Sequence, residues 1–508
     1  MNSFMENLKN EMNLKRTENG AVARKSTNSA VYDMFAFGGA YRNRTLEDCI
    51  LLFKEALEEN ETLALKCLFY LRDCRGGQGE RRFFRTCFRW LADSYPEIAI
   101  RNLDNVSEYG RWDDLIYTCV GTKIEKEMLA AVKRQLALDI QCKTPSLLSK
   151  WMPSANASSL ETKRVANIVR KYLGITQKEY RKTLSVLRAR INVLEKLMSA
   201  NRWEEIEFDK IPSKAGLVYK NAFARRDMIA KKYEDFAMSE DTKVNAKTLF
   251  PYEILAKATD YIGYNYSRRE YDFTKLSKTD RAMINKYWEN LPDYLNGKPC
   301  KIMCVVDTSG SMTGHSASAP INVAISLGMY CAERLGGPFH NHYISFASRP
   351  HLIKVSGIDF VDKARRIFNT NLCDNTDLKA VFDLLKSIAL KKDTNVDDLP
   401  DTLVVISDME IDAGTYIWGA GSATRWSRDT AATEMEKIRL EWAAAGLKLP
   451  KLVYWNVNAR NNTILDAGPN VSFVSGCTPT IFEQILTGVT GYDLMIQKIC
   501  STRYEAVH

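Results

Sequence analysis

Apolar residues recur at spacings of three and four along most of the first 240 residues, as at Leu46, Ile50, Phe53 and Leu57. This spacing places apolar side chains on one face of an α-helix, so the pattern predicts amphipathic helices. Glycine and proline interrupt it and divide it into helices of roughly 10 to 18 residues joined by short turns. A succession of such helices without strand signals is typical of an α-helical repeat array of the HEAT-like kind, which we assign to residues 1–250.

The pattern changes near residue 298, where short runs rich in β-branched residues alternate with helical segments. This alternation predicts a doubly wound, mostly parallel α/β sheet of the Rossmann-like kind. We assign the sheet domain to residues 298–508, and a connector with abundant Lys, Asp and Tyr to residues 251–297. The predicted strands are 302–306, 342–346, 352–355, 403–407, 452–456 and 471–474.

The first predicted strand of this domain ends in candidate metal ligands. It delivers Asp307-Thr308-Ser309-Gly310-Ser311 at its carboxyl end, the place where ligands bind in open α/β sheets. One carboxylate and two hydroxyls suit a hard, oxygen-preferring cation such as Mg²⁺ or Mn²⁺. We therefore expect Asp307, Ser309 and Ser311 to bind a divalent cation.

This Asp-x-Ser-x-Ser sequence resembles the first metal-site motif of von Willebrand factor A (VWA) and integrin-type domains. The resemblance implies two further ligands, Thr376 in Asn375-Thr376-Asp377 and Asp408 after the strand at 403–407. It also implies a metal-ion-dependent adhesion site, whose metal keeps one coordination position open for a carboxylate of a protein partner. Glu410 and Asp412 follow closely, but the motif does not assign them to the metal.

Basic charge is concentrated in the first part of the chain. Residues 1–300 hold 51 Lys and Arg against 40 Asp and Glu, a net charge of +11, whereas residues 301–508 carry −2. Within 151–200 there are 10 basic and 3 acidic residues, which indicates either a polyanion partner or a solvated helical face. The candidate RNA-binding residues are Arg81, Arg82, Arg85, Lys163, Arg164, Arg181, Lys182, Arg188 and Arg190.

A helical array followed by a VWA domain is similar to the architecture of the Ro autoantigen, whose TROVE module is a ring of helical repeats. The chain resembles Ro-like proteins in which a helical N-terminal region precedes a C-terminal VWA domain. The resemblance implies binding of noncoding RNA and of the single-stranded ends of misfolded RNA. The segments that carry it are LRDCRGGQGER (71–81), YGRWDDL (109–115), YRK (180–182), LR (187–188), SDME (407–410) and PKLVYWN (450–456).

Three functions remain open from the residues. The first is an RNA-binding scaffold whose VWA domain recruits a protein through its metal, and the second is a metal-dependent protein adaptor without RNA. The third is a metal-assisted phosphohydrolase that uses Asp307, although the five histidines form no metal-ligand pair with nearby acids or cysteines. We expect a binding protein rather than an enzyme.

The sequence also predicts a compartment. The first residues lack the apolar core of a signal peptide, and no apolar run approaches the length of a membrane span. The twelve cysteines include no CxxC pair and fit neither a disulfide framework nor a zinc site, as is usual in a reducing compartment. A cytoplasmic protein without membrane contact is therefore expected.

Overall fold

The structure is a computed structural model that describes residues 3–260, 263–265, 270–272, 276–314, 316–370, 376–412, 433–466 and 468–508. The chain divides into two compact units. The sheet unit combines Met1–Arg44 with Leu249–Lys498, and the helical unit combines Thr45–Thr248 with Ile499–His508. Within the described residues, none of the helices combines the length and the hydrophobicity needed to cross a lipid bilayer.

The described α-helices are, in chain order, α1 (Ser3–Met12), α2 (Ala30–Phe37), α3 (Leu46–Glu59), α4 (Glu61–Arg72), α5 (Arg81–Ser94), α6 (Pro96–Arg101), α7 (Leu103–Tyr109), α8 (Trp112–Cys119), α9 (Glu125–Gln141), α10 (Leu148–Trp151), α11 (Leu160–Leu173), α12 (Gln177–Arg190), α13 (Leu194–Ser199), α14 (Ser213–Arg225), α15 (Asp227–Met238), α16 (Pro251–Thr259), α17 (Lys278–Glu289), α18 (Pro320–Arg334), α19 (Phe360–Phe368), α20 (Leu378–Ala389), α21 (Glu434–Ala444), α22 (Ile481–Ile485) and α23 (Gly491–Ile499).

The described strands are β1 (Leu14–Arg16), β2 (Val22–Arg24), β3 (Gly263–Asn265), β4 (Glu270–Asp272), β5 (Ile302–Asp307), β6 (His342–Phe346), β7 (Leu352–Lys354), β8 (Thr402–Ser407), β9 (Lys451–Asn456) and β10 (Val471–Ser475). Short 3₁₀ helices lie at Gly38–Asn43, Trp203–Glu205, Phe208–Lys210, Gly310–Met312, Val396–Asp398 and Thr502–Tyr504.

The main sheet has six strands in the order β10-β9-β8-β5-β6-β7. All neighbours are parallel except β6 and β7, which are antiparallel. Every residue of β5, β8 and β10 is buried, as expected when helices cover both faces of a parallel sheet. The six predicted strands are confirmed to within one residue at each end, because their β-branched runs are continuous and clearly bounded.

One helix approaches the sheet closely at a glycine. Gly328 of α18 lies against β5, and a Cβ built there would be 2.5 Å from Cγ2 of Val306. Only glycine allows the helix this separation from the strand. The contact fixes α18 on the central strand, which is the strand that ends at Asp307.

The predicted boundaries need correction at the N-terminus, because Met1–Arg44 belongs to the sheet unit rather than to the helical region. Strands β1 and β2 form an antiparallel ribbon, and the backbones of Arg24 and Ile464 exchange hydrogen bonds of 2.7 and 3.0 Å. The amide of Gly39 donates to Oγ of Ser475 at 3.0 Å, and a Cβ on Gly39 would lie 2.7 Å from the carbonyl oxygen of Ser475. Local periodicity could not reveal these partners, which lie more than 400 residues away along the chain.

The predicted connector and C-terminus also divide differently. Helix α16 packs on α18 and α17 packs on α19, so the described part of 251–297 belongs to the sheet unit. At the other end Ile499–His508 belongs to the helical unit, where Val507 and Tyr504 are fully buried. The sequence gives no sign of this, because the tail is too short for a periodic pattern.

The helical unit is built from successive helices that pack against near neighbours, as α3 does on α4 and α5, and α14 on α15. Caps define several helix ends, for example the reciprocal bonds between Thr45 and Asp48 at the start of α3. A predominantly helical region followed by a mostly parallel sheet is thus confirmed. A regular HEAT-like repeat stays a prediction.

A buried ionic network ties α4, α5 and α8 together. Asp114 is fully buried and accepts from Nε and Nη2 of Arg72 at 2.9 and 2.6 Å and from Nε of Arg85 at 2.6 Å. Burial acts to raise the pKa of Asp114, but the two guanidinium groups outweigh it and hold the pKa below its usual value. The carboxylate therefore favours folding at neutral pH.

The C-terminal tail is held by a second buried carboxylate. Asp73 accepts from Nη2 of Arg503 at 2.8 Å and from the hydroxyl of Tyr504 at 3.0 Å. The ring of Tyr504 packs against Tyr70 and Tyr109 at centroid distances of 6.1 and 5.4 Å. The last residues of the chain are thus part of the core of the helical unit.

We expect Asp114→Asn to lower the free energy of unfolding by about 3 to 5 kcal/mol, because Arg72 would remain buried without its counter-ion. Chemical denaturation at pH 7 measures this loss. Since the folded pKa lies below the unfolded one, the contribution of Asp114 is complete above the unfolded pKa and disappears as the pH falls through the folded pKa. The penalty of Asp114→Asn should therefore shrink in acid, and a penalty independent of pH would contradict the assignment.

We expect Arg503→Ala to lower the free energy of unfolding by about 2 kcal/mol. This loss is smaller than that expected on breaking a fully buried ion pair, because the guanidinium is partly exposed. The matched control is Arg101→Ala, which removes an exposed ion pair with Glu61 and should change stability by no more than about 0.5 kcal/mol. Equal effects of the two substitutions in thermal or urea denaturation would show that the tail does not stabilise the helical unit.

Candidate metal centre at the carboxyl edge of the sheet

The candidate metal ligands lie where the strand order of the sheet reverses. Strands β5 and β8 are parallel neighbours, with Val306 opposite Ile406, so they end at the same edge. From β5 the chain continues outward to β6 on one side and later to β8 on the other. This is the position at which doubly wound sheets bind ligands. Asp307 ends β5, and Asp408 directly follows β8.

Asp307 is completely buried and fixed by hydrogen bonds to both carboxylate oxygens. Its Oδ1 accepts from the amide of Ser309 at 2.8 Å, and its Oδ2 accepts from Oγ of Ser407 at 2.6 Å. Burial, followed by the nearby charge of Asp408, raises the pKa of Asp307 to about 7. The side chain is thus held rigidly in a place where its negative charge is unfavourable.

The two serines of the motif lie beside this carboxylate. The 3₁₀ turn at Gly310–Met312 brings Oγ of Ser309 and Oγ of Ser311 to 3.0 Å from each other. Ser309 is buried and Ser311 is partly exposed, so the pair lies between the sheet edge and solvent. Ser311 also lies near Asp408 and acts to lower the pKa of that carboxyl, which relates the β5 motif to the end of β8.

Asp408 is fully buried and has one oxygen without a hydrogen bond. Its Oδ1 accepts from the amide of Glu410 at 3.2 Å, while Oδ2 accepts none from the part of the chain that the structure describes. Among the described residues Arg460 forms an ion pair with Asp408, with its Nε 3.3 Å from Oδ2. Burial raises the pKa of Asp408, and Arg460, the Glu410 amide and Ser311 oppose that rise.

Thr376 is buried at the neighbouring loop. Its hydroxyl donates to the carbonyl oxygen of Glu410 at 3.1 Å, and its amide donates to Oδ2 of Asp412 at 2.8 Å. The amide of Asp412 returns a bond of 2.9 Å to the carbonyl of Thr376. The structure thus joins Thr376 to the loop that carries Asp408, and the adjacent Asn375 lies outside the described residues.

Glu410 is buried but bonds the N-terminal segment. Its Oε2 accepts from the amide of Glu18 at 2.7 Å, and its Oε1 accepts from Nδ2 of Asn461 at 3.3 Å. Burial raises the pKa of Glu410. The sequence shows Glu410 only as an acid close after Asp408, and Arg460 only as a base that follows β9, another strand that ends at this edge.

The residues present fit a hard divalent cation. Two buried carboxylates at adjacent strand ends disfavour each other's charge, and two serine hydroxyls lie beside them. Oδ2 of Asp408 accepts no hydrogen bond from any residue that the structure describes. Among the described residues there is no group of three or more His, Cys, Asp and Glu side chains that could hold a metal. A cation at this edge would therefore depend on hydroxyl oxygens, which suit Mg²⁺ or Mn²⁺ rather than a softer metal.

The candidate RNA-binding residues fall into two groups in the helical unit. Lys163, Arg164, Arg181 and Lys182 are exposed on α11 and α12, two helices that both pack against α9. Arg81, Arg82 and Arg190 are also exposed, although Arg190 donates to the carbonyls of Ile140 and Cys142.

Arg188 and Arg85 have structural partners. The guanidinium of Arg188 donates to the carbonyls of Ser149 and Met152 at 2.7 and 2.9 Å, which holds the segment around α10 against α12. Arg85 bonds Asp113 at 2.8 Å in addition to Asp114. Both arginines are at least partly buried, so their charge serves the packing of the helical unit.

Comparisons with known proteins give matches to two family models, one relative and one solved structure. The family described as "Domain of unknown function (DUF2828)" matches residues 17–145 and 128–298, together more than half of the chain. The family described as "Domain of unknown function (DUF7788)" matches residues 301–497.

A relative from Acanthamoeba polyphaga mimivirus, "Uncharacterized protein L728", is 28% identical over an alignment of 498 residues, and the match covers 89% of this chain and 80% of the relative. The crystal structure of the Deinococcus radiodurans RO (RSR) protein is similar with a TM-score of 0.47 and 13% identity, over 93% of this chain and 99% of that one. On the match over residues 17–298, the chain belongs to the DUF2828 family.

Proposed function

We propose that this protein is a scaffold rather than an enzyme, and that its sheet unit binds Mg²⁺ or Mn²⁺ through Asp307, Ser309, Ser311, Thr376 and Asp408. The observation that carries the proposal is the pair of buried carboxylates, Asp307 and Asp408, beside two serine hydroxyls at the strand-order reversal. When bound, the cation supplies a coordination position for a carboxylate of a protein partner. The chain's own residues fix the ligands, since Ser407 and the Ser309 amide hold Asp307 in one orientation.

The proposal of a non-catalytic role follows from the surroundings of the site. Hydrolysis of a phosphate ester would require a proton acceptor beside the motif. Two of the described histidines, His340 and His342, have ring nitrogens within 2.7 and 2.8 Å of the backbone carbonyls of Leu335 and His340. His315, which follows the motif along the chain, lies outside the described residues. Metal-dependent turnover of a phosphate ester that is lost in Asp307→Asn would favour the phosphohydrolase.

We expect Mg²⁺ to raise the thermal midpoint of the wild-type protein, because a ligand that binds only the folded state stabilises it, by about 2.7 kcal/mol at 100 times its Kd. Asp307→Asn and the double variant Ser309→Ala, Ser311→Ala should lose this rise. The double serine variant removes two ligand oxygens without altering a buried charge. It therefore also tests whether Asp307→Asn loses its response to Mg²⁺ only because the variant fails to fold.

The control for this experiment is Asp383→Asn, which removes a partly exposed carboxylate of the same unit that pairs with Lys379 and Lys386. It should keep the full response to Mg²⁺. If Asp383→Asn and Asp307→Asn respond to Mg²⁺ as the wild type does, the cation does not bind at the β5 motif.

We further propose that the helical unit binds RNA through the exposed bases of α11 and α12. Support comes from the basic excess of residues 151–200 and from Lys163, Arg181 and Lys182, whose side chains are exposed. Single-stranded ends or noncoding RNA would be held mainly through phosphates, with an affinity that falls steeply with salt. The alternative is a metal-dependent protein adaptor in which this charge is only a solvated face. A cytoplasmic location is part of either proposal.

We expect the triple variant Lys163→Ala, Arg181→Ala, Lys182→Ala to weaken binding of a single-stranded RNA and to reduce the slope of log affinity against log salt by about 2, since each phosphate contact contributes roughly 0.7. Fluorescence anisotropy of the full-length protein over a salt series measures both quantities.

The matched control is Lys123→Ala, Lys126→Ala, Lys133→Ala, which removes three exposed lysines at or near α9 and the same net charge. It should retain most of the affinity. Equal losses in the two triple variants would indicate nonspecific attraction, and no binding by the wild type at low salt would favour the adaptor without RNA.

A further inference from the structure

Arg460 lies in the loop after β9, between two acidic groups. Its Nε is 3.3 Å from Oδ2 of Asp408, and its Nη2 is 2.8 Å from Oε2 of Glu18. The guanidinium is about one-third exposed, whereas the Asp408 side chain is fully buried. Within the described part of the chain, Arg460 is the base that forms an ion pair with a carboxylate of the candidate metal centre.

The contact between Arg460 and Asp408 is an ion pair without a hydrogen bond between the two closest atoms. The two atoms lie close together, yet neither Nε of Arg460 nor Oδ2 of Asp408 has a hydrogen-bond partner among the described groups. A pair of this kind offsets part of the cost of a buried charge but lacks the geometry that makes such pairs strong. Oδ2 is also the oxygen of Asp408 that accepts no hydrogen bond from the described groups, whereas Oδ1 accepts from the Glu410 amide.

We propose that Arg460 is an internal counter-ion that competes with the divalent cation for Asp408, so that metal binding requires its guanidinium to move away. This inference rests on the proposed metal site and adds its regulation. Two positive charges so close to one carboxylate oxygen repel each other in a buried setting, and binding of one disfavours the other. The ion pair with Glu18 holds the guanidinium near the site after it has moved away from Asp408.

The loop that carries Asp408 does not need Arg460 to stay in place. Oγ1 of Thr17 donates to the carbonyl of Ile411 at 2.7 Å, and Nδ2 of Asn19 donates to the carbonyl of Glu410 at 2.8 Å. The Glu18 amide holds the Glu410 side chain. Residues 17–19 thus anchor the loop independently, and removal of the guanidinium charge should leave the candidate ligands in position.

The test compares Arg460→Gln with the wild type in direct titrations of the full-length protein with Mn²⁺, followed by electron paramagnetic resonance of the free ion. We expect Arg460→Gln to bind about tenfold more tightly, within the range usual for coupling between two binding events. Mg²⁺ should also raise the thermal midpoint of Arg460→Gln by more than that of the wild type, since its metal-free form retains an uncompensated Asp408. The control is Arg365→Gln, which removes the same charge from an arginine of the sheet unit that pairs with Asp362, and its affinity should not change.

The outcomes separate the two proposals. Metal binding by both proteins with equal affinity, or weaker binding by Arg460→Gln, overturns the role of Arg460 and leaves the metal site intact. Binding by Arg460→Gln and none by the wild type supports the competition in its strongest form. Absence of binding by both proteins overturns the metal site and this inference with it.

Discussion

The arrangement of side chains at the sheet edge depends on two buried carboxylates, Asp307 and Asp408, at the ends of adjacent parallel strands. The register of β5 and β8 places Asp307 and Ser407 opposite each other, with Asp408 one residue further, and all three are completely buried. Charge in such a place is unfavourable unless hydrogen bonds and an opposite charge offset it. The Ser407 hydroxyl, the Ser309 amide and Arg460 each supply part of that compensation, and a divalent cation would supply more.

Much of this edge could be predicted from the sequence, because its main parts are local. A continuous apolar strand followed by Asp-x-Ser-x-Ser places Asp307, Ser309 and Ser311 at one strand end, and parallel strands bring Asp408 to the same edge. Arg460 and residues 17–19 could not be predicted, because they reach the site through contacts across some 50 and 390 residues of chain. Strands β1 and β2 have three residues each, too few for an alternating pattern to appear.

The helical unit shows a different limit of sequence reasoning. A count of basic residues in 151–200 cannot tell a guanidinium that faces solvent from one that bonds carbonyls inside the fold. Arg188 and Arg181 lie on the same helix, yet the first ties α12 to the backbone around α10 and the second is exposed. The number of charges available to a polyanion is therefore smaller than the sequence suggests, and it is concentrated on α11 and the first half of α12.

Each of the two units combines segments that are far apart along the chain, so neither can fold completely until its later segment has been synthesised. Residues 1–44 are synthesised before the helical unit, whereas their partners at Ile464 and Ser475 follow more than 400 residues later. Most of the helical unit is synthesised in between, and it lacks Arg503 and Tyr504 until Ile499–His508 has been added. The sheet unit therefore has all of its residues only after Lys498, and the helical unit only after Ile499–His508. A nascent chain arrested before Ile464 holds two incomplete cores.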